Sequence, residues 1–466
     1  MRRQRSAGAR RRASTPRARA TRGTLAIGAA LTTAVALGLI GPARADAPLP
    51  RPVTDADFIA VDPDEAALGQ LLFYDPILSG NRNIACSTCH HPRFATSDGL
   101  SLGLGEGGEG LGPDRHATGR NRPEQRIPRN ATALFNLGAH EFTTLFHDGR
   151  IQADPTRPSG IRTPMDEEMV TGFSGILSAQ TMFPVLSPDE MAGHYSESDV
   201  AKAVRSGRIT GDGGAWDRIS RRVEDIPAYA EQFRAVYPHV ADGAPVRFTD
   251  ISNAIAAFIA LEWRSDSSPF DAALRGEAPL TGAAAEGAAL FYGEAGCAAC
   301  HSGPFLTDHA FHAMAAPQLG PGKAERFERH SRDDGRMRVT GREADRFAFR
   351  TPSLRNVAQT GPWGHAGSHD DLGAFVADHA ARAEGLQRYA RAVVLPDLDE
   401  TKPDWVVLDD PAQVAAIAAA AGPGTVLDDG RIAALVAFLD TLTDRAAIDG
   451  RMGVPARVPS GLPVDQ

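Results

Sequence analysis

The strongest constraint on this chain is a five-residue pattern that occurs twice and uses all four of its cysteines. The pattern is Cys-x-x-Cys-His, and it comprises Cys86, Cys89 and His90 in the first copy and Cys297, Cys300 and His301 in the second. A cysteine pair followed directly by His is typical of covalent haem attachment, in which the two thiols bond to the haem and the imidazole binds its iron. The sequence therefore predicts two covalently bound haem c groups.

Two other uses of such cysteine pairs fit less well. The four thiolates could hold one zinc ion, and one pair could form a thioredoxin-like redox centre. The cysteine pairs of zinc sites are usually separated by about 15 to 20 residues, whereas Cys86 and Cys297 lie 211 residues apart. Neither alternative needs a His after both pairs, so covalent haem is the favoured interpretation.

The first 45 residues have the pattern of a secretory signal peptide. An arginine-rich segment without acidic residues precedes an apolar run, 24–40, and a Pro-Ala-Arg-Ala sequence that ends at Ala45. This order predicts export to the periplasm with cleavage after Ala45. Because the apolar run is short for a spanning helix, an uncleaved membrane anchor is the less favoured alternative.

Removal of residues 1–45 also removes ten arginines and lowers the formal charge from −9 to −19. Binding to nucleic acid needs clustered positive charge, which such an acidic chain is not expected to have. Nucleic acid is therefore not an expected partner. Its negative surface would attract a basic redox protein, although acidity also serves solubility alone. The remaining 421 residues exceed one typical core, which predicts two domains, 46–264 and 265–466, with a linker at 265–269.

Repeated patterns indicate that the two domains are copies of one unit. A short helical pattern precedes each haem motif, at 65–74 and again at 285–292. Amphipathic helices are predicted at 250–260, with Asp250 capping the first turn, and at 429–439. Since no sustained strand pattern is present, the predicted fold is mainly α, with two cytochrome c-like haem domains.

The motifs resemble those of the bacterial di-haem cytochrome c peroxidase family, which includes MauG-like enzymes. They are Leu-Phe-Tyr-Asp-Pro-x-Leu-Ser-Gly at 72–80, Asp-Gly-Arg at 148–150 and Phe-Arg-Thr-Pro-Ser-Leu-Arg-Asn-Val at 349–357, and the similarity covers nearly the whole exported chain. The resemblance implies that hydrogen peroxide reacts at the haem held by His90, while the haem held by His301 relays electrons. It also implies a small cytochrome c or blue-copper protein as the electron donor, and relatives of this kind are often homodimers.

The resemblance also implies an acid–base group. Segment 180–191 is similar to the family's distal segment, in which a Gln precedes a catalytic Glu by ten residues. Glu190 would then move a proton between the two peroxide oxygens, and Gln180 would support it through a hydrogen bond. From its position alone, Glu190 is equally explained as an acidic residue in the first turn of a helix after Ser187, where the helix dipole favours it.

Two departures from the family pattern concern the iron ligands. Sixteen residues after His90, where many relatives carry a displaceable His, this chain has Glu106 in a glycine-rich stretch predicted to be a mobile loop. We expect an open iron position there without reductive activation, unless His116 takes the role. Fourteen residues after His365, where relatives carry Met or Tyr, this chain has His379. His379 is expected to be the second ligand of the C-terminal haem and to lower its potential relative to Met; the alternative is a structural His on a helix face.

Two further expectations concern the region between the haems. His147 stands where many relatives have a bridging Trp, which changes the route of electron transfer rather than its occurrence. A calcium ion commonly lies there in the family, held by an Asn side chain, two backbone carbonyls and waters. The matching residues are Asn130, Thr360 and Pro362, and hard oxygen ligands suit Ca²⁺. Without the resemblance, Asn130 is equally a loop cap.

Three functions follow from these expectations. The favoured one is a periplasmic di-haem peroxidase that reduces hydrogen peroxide to water. The second is a MauG-like oxidase, in which the oxidised haems act on a protein or organic substrate. The third, from another class, is a di-haem electron carrier without catalysis, which would require both irons to be six-coordinate.

Overall fold

The fold is known from a computed structural model, which describes residues 47–194, 196–322, 330–398 and 404–466. The predicted signal peptide, residues 1–45, lies outside the described residues and stays a prediction. Within the described ranges, no helix combines the length and the apolar character needed to cross a membrane.

The described chain is rich in helices, which confirms the predicted mainly α fold. The helices of the first half are α1 (Pro63–Phe73), α2 (Cys86–Cys89), α3 (Glu167–Val170), α4 (Ile176–Gln180), α5 (Asp199–Arg205), α6 (Ala215–Glu224), α7 (Pro227–Val236), α8 (Pro238–Ala241) and α9 (Phe248–Glu262). Those of the second half are α10 (Pro269–Leu274), α11 (Gly282–Tyr292), α12 (Met337–Thr340), α13 (Leu372–Ala381), α14 (Ala383–Arg388), α15 (Pro411–Ala421), α16 (Asp429–Asp440) and α17 (Arg445–Asp449).

The strands are two or three residues long and pair only with near neighbours. They are β1 (Gly108–Glu109), β2 (His116–Ala117), β3 (Thr144–Leu145), β4 (Ile151–Ala153), β5 (Ile161–Arg162), β6 (Phe311–Ala313) and β7 (Ala348–Arg350). All pairs are antiparallel: β1 with β2, β4 with both β3 and β5, and β6 with β7, where Phe311 lies opposite Arg350. These short strands connect neighbouring loops, and they do not form a central β-sheet.

Each half has its own main hydrophobic core. The core of the first half is built from residues between 68 and 263, and that of the second from residues between 270 and 442. Helix α9 lies at the centre of the first core and is buried on nearly all sides, so the predicted amphipathic helix is a central one. It begins at Phe248, and Asp250 lies within its first turn, where the carboxylate accepts the backbone N–H of Arg247 at 2.8 Å.

The two halves repeat one helix-packing contact, which supports the predicted duplication. In the first half α1 packs on α9, and Gly69 lies so close that an added Cβ would overlap the carbonyl oxygen of Ala254. In the second half α11 packs on α16, and a Cβ at Gly287 would overlap the carbonyl oxygen of Ala434. Close backbone approach of this kind requires glycine. Both predicted helices before the haem motifs are therefore present and packed in the same way.

The predicted linker is a buried junction. Ser265 is fully buried, and the carboxylate of Asp444 accepts the backbone N–H groups of Asp266 and Ser267 at 2.9 and 2.8 Å. After Asp444 the chain returns to the first half: residues between 447 and 464 pack in or against the first core. The boundary between the two domains stays a prediction.

Replacement of Gly287 with Ala tests the repeated contact. The added methyl group would collide with backbone rather than with a movable side chain, so we expect the free energy of unfolding to fall by about 1–3 kcal/mol. Urea unfolding of the purified protein measures it. Gly175→Ala is the matched control, because a Cβ there meets nothing within 4 Å and the backbone is extended. Equal stability of the two variants would contradict the close contact.

Candidate functional site

Both Cys-x-x-Cys-His motifs present their histidine in the same way. The first motif forms α2 and is followed by His90, whose Nδ1 lies 3.0 Å from the carbonyl oxygen of Thr96. In the second motif, Nδ1 of His301 lies 3.2 Å from the carbonyl oxygen of Leu306. A ring whose Nδ1 donates to a carbonyl offers Nε2 as its metal ligand. Both predicted proximal histidines are therefore oriented to bind iron.

The four cysteines do not converge on one site. Cys86 and Cys89 pack against the first core, whereas Cys297 packs against the second. Among the described residues, the only group of three or more metal-binding side chains within reach of one ion contains a single cysteine: Cys300, Asp308 and His312. The alternative of one zinc ion held by four thiolates is therefore wrong.

The second motif has a second histidine opposite its proximal one. Helix α13 places the ring of His379 with its centroid 6.3 Å from that of His301. A metal bound by one nitrogen of each ring, at roughly 2.0–2.1 Å, would separate the centroids by about 6 Å. Burial lowers the pKa of His301 to about 4 and that of His379 to about 3, so both rings are neutral at neutral pH, as metal binding requires. The pair fits the two axial positions of one haem iron.

Glu106 lies inside the protein, in contrast to the expected mobile loop. Its side chain is held by three asparagine amides: Nδ2 of Asn81, Asn83 and Asn121 lie 2.8, 2.7 and 3.0 Å from the same carboxylate oxygen. Glu106 itself is only 1% exposed, and residues 101–108 are buried with it. One of its two carboxylate oxygens is thus fully engaged in this network.

Among the described residues, none places an imidazole opposite the proximal histidine of the first motif. His116 is exposed on β2, and its Nδ1 lies 3.0 Å from the carbonyl oxygen of Asp114. In the part of the chain that the structure describes, no ring faces His90 as His379 faces His301. The two motifs therefore have different surroundings, as the sequence predicts.

Glu190 lies in a single turn of π-helix, Pro188–Ala192. Its backbone N–H donates to the side-chain oxygen of Ser187, which caps the turn, at 3.3 Å. Such π-turns are rare and occur frequently at functional sites. Burial raises the pKa of the Glu190 carboxyl, while the Ser187 hydrogen bond and the positive charge of Arg150 oppose the rise. This carboxyl holds its proton to higher pH than an ordinary one, which suits acid–base chemistry.

One of the two predicted distal residues, Glu190, lies near the first motif. Burial raises the pKa of the Cys89 thiol, and the charges of Asp98 and Glu190 add to the rise, which indicates that the Glu190 carboxylate lies close to that motif. Gln180 is the last residue of α4, and its carbonyl oxygen Oε1 is buried without a hydrogen-bond partner. No hydrogen bond joins the two side chains. Because a buried polar atom without a partner is unfavourable, the free Oε1 fits a site that receives a polar ligand.

Arg350 is a half-buried cation with surroundings that the sequence did not predict. Its guanidinium donates to the carbonyl oxygens of Phe146 and Thr351 at 3.1 and 3.2 Å. Burial lowers its pKa to about 10, and no acidic residue among those described pairs with it. A buried cation without a counter-charge is costly, so this site fits a haem propionate carboxylate. Sequence showed the motif around Arg350 but not its burial.

A group of stacked rings lies where the family's bridging aromatic is expected. His147 stacks on His365 with ring centroids 6.1 Å apart, and Phe349 stacks on His365 at 3.9 Å. Nε2 of His147 lies 2.9 Å from the carboxylate of Asp333, which also pairs with Arg129. The charge of Arg129 and the hydrogen bond with His147 hold the pKa of Asp333 well below its usual range despite burial. The replacement of Trp by His at 147 therefore keeps a ring at this position and adds a charged network.

Asn130, one of the predicted calcium ligands, bonds to the segment that follows the other two, Thr360 and Pro362. The backbone N–H of Asn130 donates to the carbonyl oxygen of His365 at 3.2 Å, and its Nδ2 donates to that of Leu100 at 2.8 Å. Within the described residues, the Asn130 side-chain oxygen and the carbonyl oxygens of Thr360 and Pro362 accept no hydrogen bond. Three free oxygens fit a hard cation. Calcium binding itself stays a prediction.

Comparison with known proteins gives matches along most of the chain. The model of the family described as di-haem cytochrome c peroxidase matches residues 63–279. Methylamine utilization protein MauG of Methylorubrum extorquens is 32% identical over 322 residues, 68% of this chain and 68% of that protein. Cytochrome c551 peroxidase of Pseudomonas aeruginosa is 27% identical over 320 residues, 69% and 72% of the two chains. The crystal structure of a MauG-like protein associated with microbial copper homeostasis aligns with a TM-score of 0.54 at 25% identity, over 89% and 97% of the two chains.

Motifs, fold and relatives together define a haem-dependent oxidoreductase of the peroxidase type. The chain belongs to the di-haem cytochrome c peroxidase family. The resemblance read from the sequence is thereby confirmed, and haem is the cofactor that membership implies. The roles of individual residues stay proposals.

Replacement of His379 with Ala tests the proposed second axial ligand. Loss of one of two imidazoles should change the electron paramagnetic resonance signal of the C-terminal haem from low-spin to high-spin, while that of the first haem stays unchanged. His312→Ala is the matched control, because His312 also lies near the second motif but bonds to Asp308 at 2.8 Å. A low-spin signal that persists in His379→Ala would reject the assignment.

Proposed function

We propose that this chain is an exported di-haem peroxidase that reduces hydrogen peroxide to water, with electrons from a small cytochrome c or a blue-copper protein. The observation that carries the proposal is the asymmetry between the two motifs. His301 is faced by His379, which would leave no place for a substrate, whereas the first half offers a half-buried carboxyl with a raised pKa near its motif and an unpartnered amide oxygen on α4. A carrier would need two closed sites, and a peroxidase needs one that is open.

In this proposal, Cys86, Cys89 and His90 would hold a haem, which would supply one of the two electrons and the iron at which peroxide reacts. The carboxylate of Glu190 takes a proton from one peroxide oxygen and gives it to the other, so that the leaving oxygen departs as water. Gln180 Oε1 accepts a hydrogen bond from the peroxide O–H group. The overall reaction consumes one peroxide, two electrons and two protons and yields two waters.

The second motif would deliver one of those electrons. We propose His301 and His379 as the two ligands of that haem, attached at Cys297 and Cys300, and two imidazoles hold iron at a lower potential than the His and Met of typical cytochromes c. The stack of His147 on His365 supports coupling of the two haems through this region.

We further propose two features that surround this chemistry. Calcium is held by Asn130, Thr360 and Pro362, whose free oxygens support the assignment. Localisation is periplasmic, because residues 1–45 match an export signal and covalent haem attachment takes place outside the cytoplasm.

A MauG-like oxidase of a protein or organic substrate is the second candidate. It is favoured by the similarity to methylamine utilization protein MauG and by the engaged carboxylate of Glu106, which stands where many peroxidases carry a displaceable His. Both candidate functions use the same site at the first motif. They differ in the source of the electrons that reduce the haems after reaction with peroxide: a small redox protein in the peroxidase, and the protein or organic substrate in the oxidase.

Three outcomes separate these functions. Peroxide is added to the oxidised two-haem protein while the Soret absorbance is followed, and reduced cytochrome c or cupredoxin is then supplied. We expect a rapid spectral change followed by many turnovers of the donor. A spectral change without donor oxidation would favour the oxidase, and no change at all would leave the electron carrier.

Replacement of Glu190 with Gln tests the acid–base role. We expect the rate constant for the reaction with peroxide to fall by about 10²- to 10⁴-fold. In the unaltered protein this rate should also fall as the pH drops through the raised pKa of Glu190, because a protonated carboxyl cannot accept a proton. The rate of the Gln variant should not show this fall at low pH. Glu168→Gln, at an exposed position on α3, is the control and should behave as the unaltered protein.

A further inference from the structure

We propose that Glu106 is a positioning residue for the distal turn that carries Glu190. Its side chain is anchored by asparagine amides from two other segments, and its backbone holds the turn. The inference rests on the proposed peroxide chemistry at the first motif, and it assigns to Glu106 a task within that site in place of iron ligation.

Two backbone hydrogen bonds hold the distal turn immediately before and after Glu190. The N–H of Glu106 donates to the carbonyl oxygen of Asp189 at 3.0 Å, and the N–H of Gly80 donates to that of Met191 at 2.7 Å. In a π-turn the carbonyl groups are not all used by the helix itself, so bonds from outside can fix its orientation. The two residues that flank Glu190 are thus each tied to a neighbouring segment.

Close packing reinforces these two bonds. A Cβ at Gly80 would overlap the carbonyl oxygen of Ala192, and one at Gly105 would overlap that of Asp189. Both segments therefore lie directly on the backbone of the distal turn. A movement of Glu106 or Gly80 would shift the turn, because no space separates them.

The carboxylate of Glu106 fixes its own backbone. One of its oxygens accepts the amides of Asn81, Asn83 and Asn121 at 2.7 to 3.0 Å. Hydrogen bonds to a charged acceptor are stronger than neutral ones, and three of them to one buried group define its position closely. Asn81 also donates to Glu197 at 2.9 Å, and Glu197 accepts the N–H of His194 just after the turn.

The same network links the distal turn to the place of haem attachment. Asn83 lies three residues before Cys86, so the carboxylate of Glu106 connects the segment that enters α2 with the turn that holds Glu190. Proton transfer to and from a bound molecule depends on such distances, and displacement by about 1 Å can lower a rate about 10²-fold. Glu106 thereby sets the distance between the acid–base group and the haem.

The test compares Glu106→Ala with Glu106→Gln in the two-haem protein. We expect the Ala variant to react with peroxide about 10- to 100-fold more slowly, because Glu190 is no longer held in place. The fall of its rate constant at low pH should also lie at a different pH from that of the unaltered protein. The Gln variant keeps an oxygen acceptor for the three amides and should stay within about threefold of the unaltered protein. Haem content and the low-spin signal of the second haem should be the same in all. Glu109→Ala is the matched control, because Glu109 lies three residues after Glu106 and is exposed.

Each other outcome overturns the inference. A normal rate and pH profile in Glu106→Ala would show that the network does not position Glu190. A Gln variant as slow as the Ala variant would mean that the negative charge matters and not the position. If Glu106→Ala does not fold, Asn121→Ala removes a single donor at an exposed residue, and we expect it to be about threefold slower; an unchanged rate would reject the proposal. Failure of the unaltered protein to react with peroxide would instead overturn the proposed function.

Discussion

The orientation of two imidazoles by backbone carbonyl groups is the interaction on which the rest of this structure depends. His90 and His301 each give Nδ1 to a carbonyl oxygen five or six residues further along the chain, and this leaves Nε2 for iron. Each pair of adjacent thiols and its histidine would hold a haem in the same way. The two sites therefore differ in what else the fold places around each motif.

The surroundings of the two motifs differ, although the two halves share one helix-packing contact. In the second half, α13 places the imidazole of His379 opposite that of His301. In the first half, a π-turn carries the half-buried Glu190, and the backbone of a glycine-rich segment bonds to that turn. In the proposed function the division of labour therefore arises from the segments around the motifs, while the repeated helices support both halves alike.

The sequence allowed prediction of those features that depend on short-range patterns. The haem motifs and helices α1, α11 and α16 follow from residues close together in the chain. The position of His379 opposite His301 was predicted from the resemblance to the family, through its spacing from His365. Features that depend on contacts between distant segments could not be predicted. The burial of Glu106 is one, since asparagines from two other segments create it, and the uncompensated charge of Arg350 is another. Charged residues of these types are usually exposed. Tertiary packing gives Glu106 its amide partners and leaves Arg350 without an acidic partner among the described residues.

The return of the chain to the first half has a consequence for how the protein is made. The carboxylate of Glu262 accepts the N–H groups of residues 451–453, and Thr88, between the first two cysteines, donates to Asp465 at 2.8 Å. Residues synthesised last thus complete a core begun by residues synthesised first. The first core therefore has all of its contacts only when the last residues of the chain are in place. The last residues of the chain are in this way as much a part of the first half as the residues that open it.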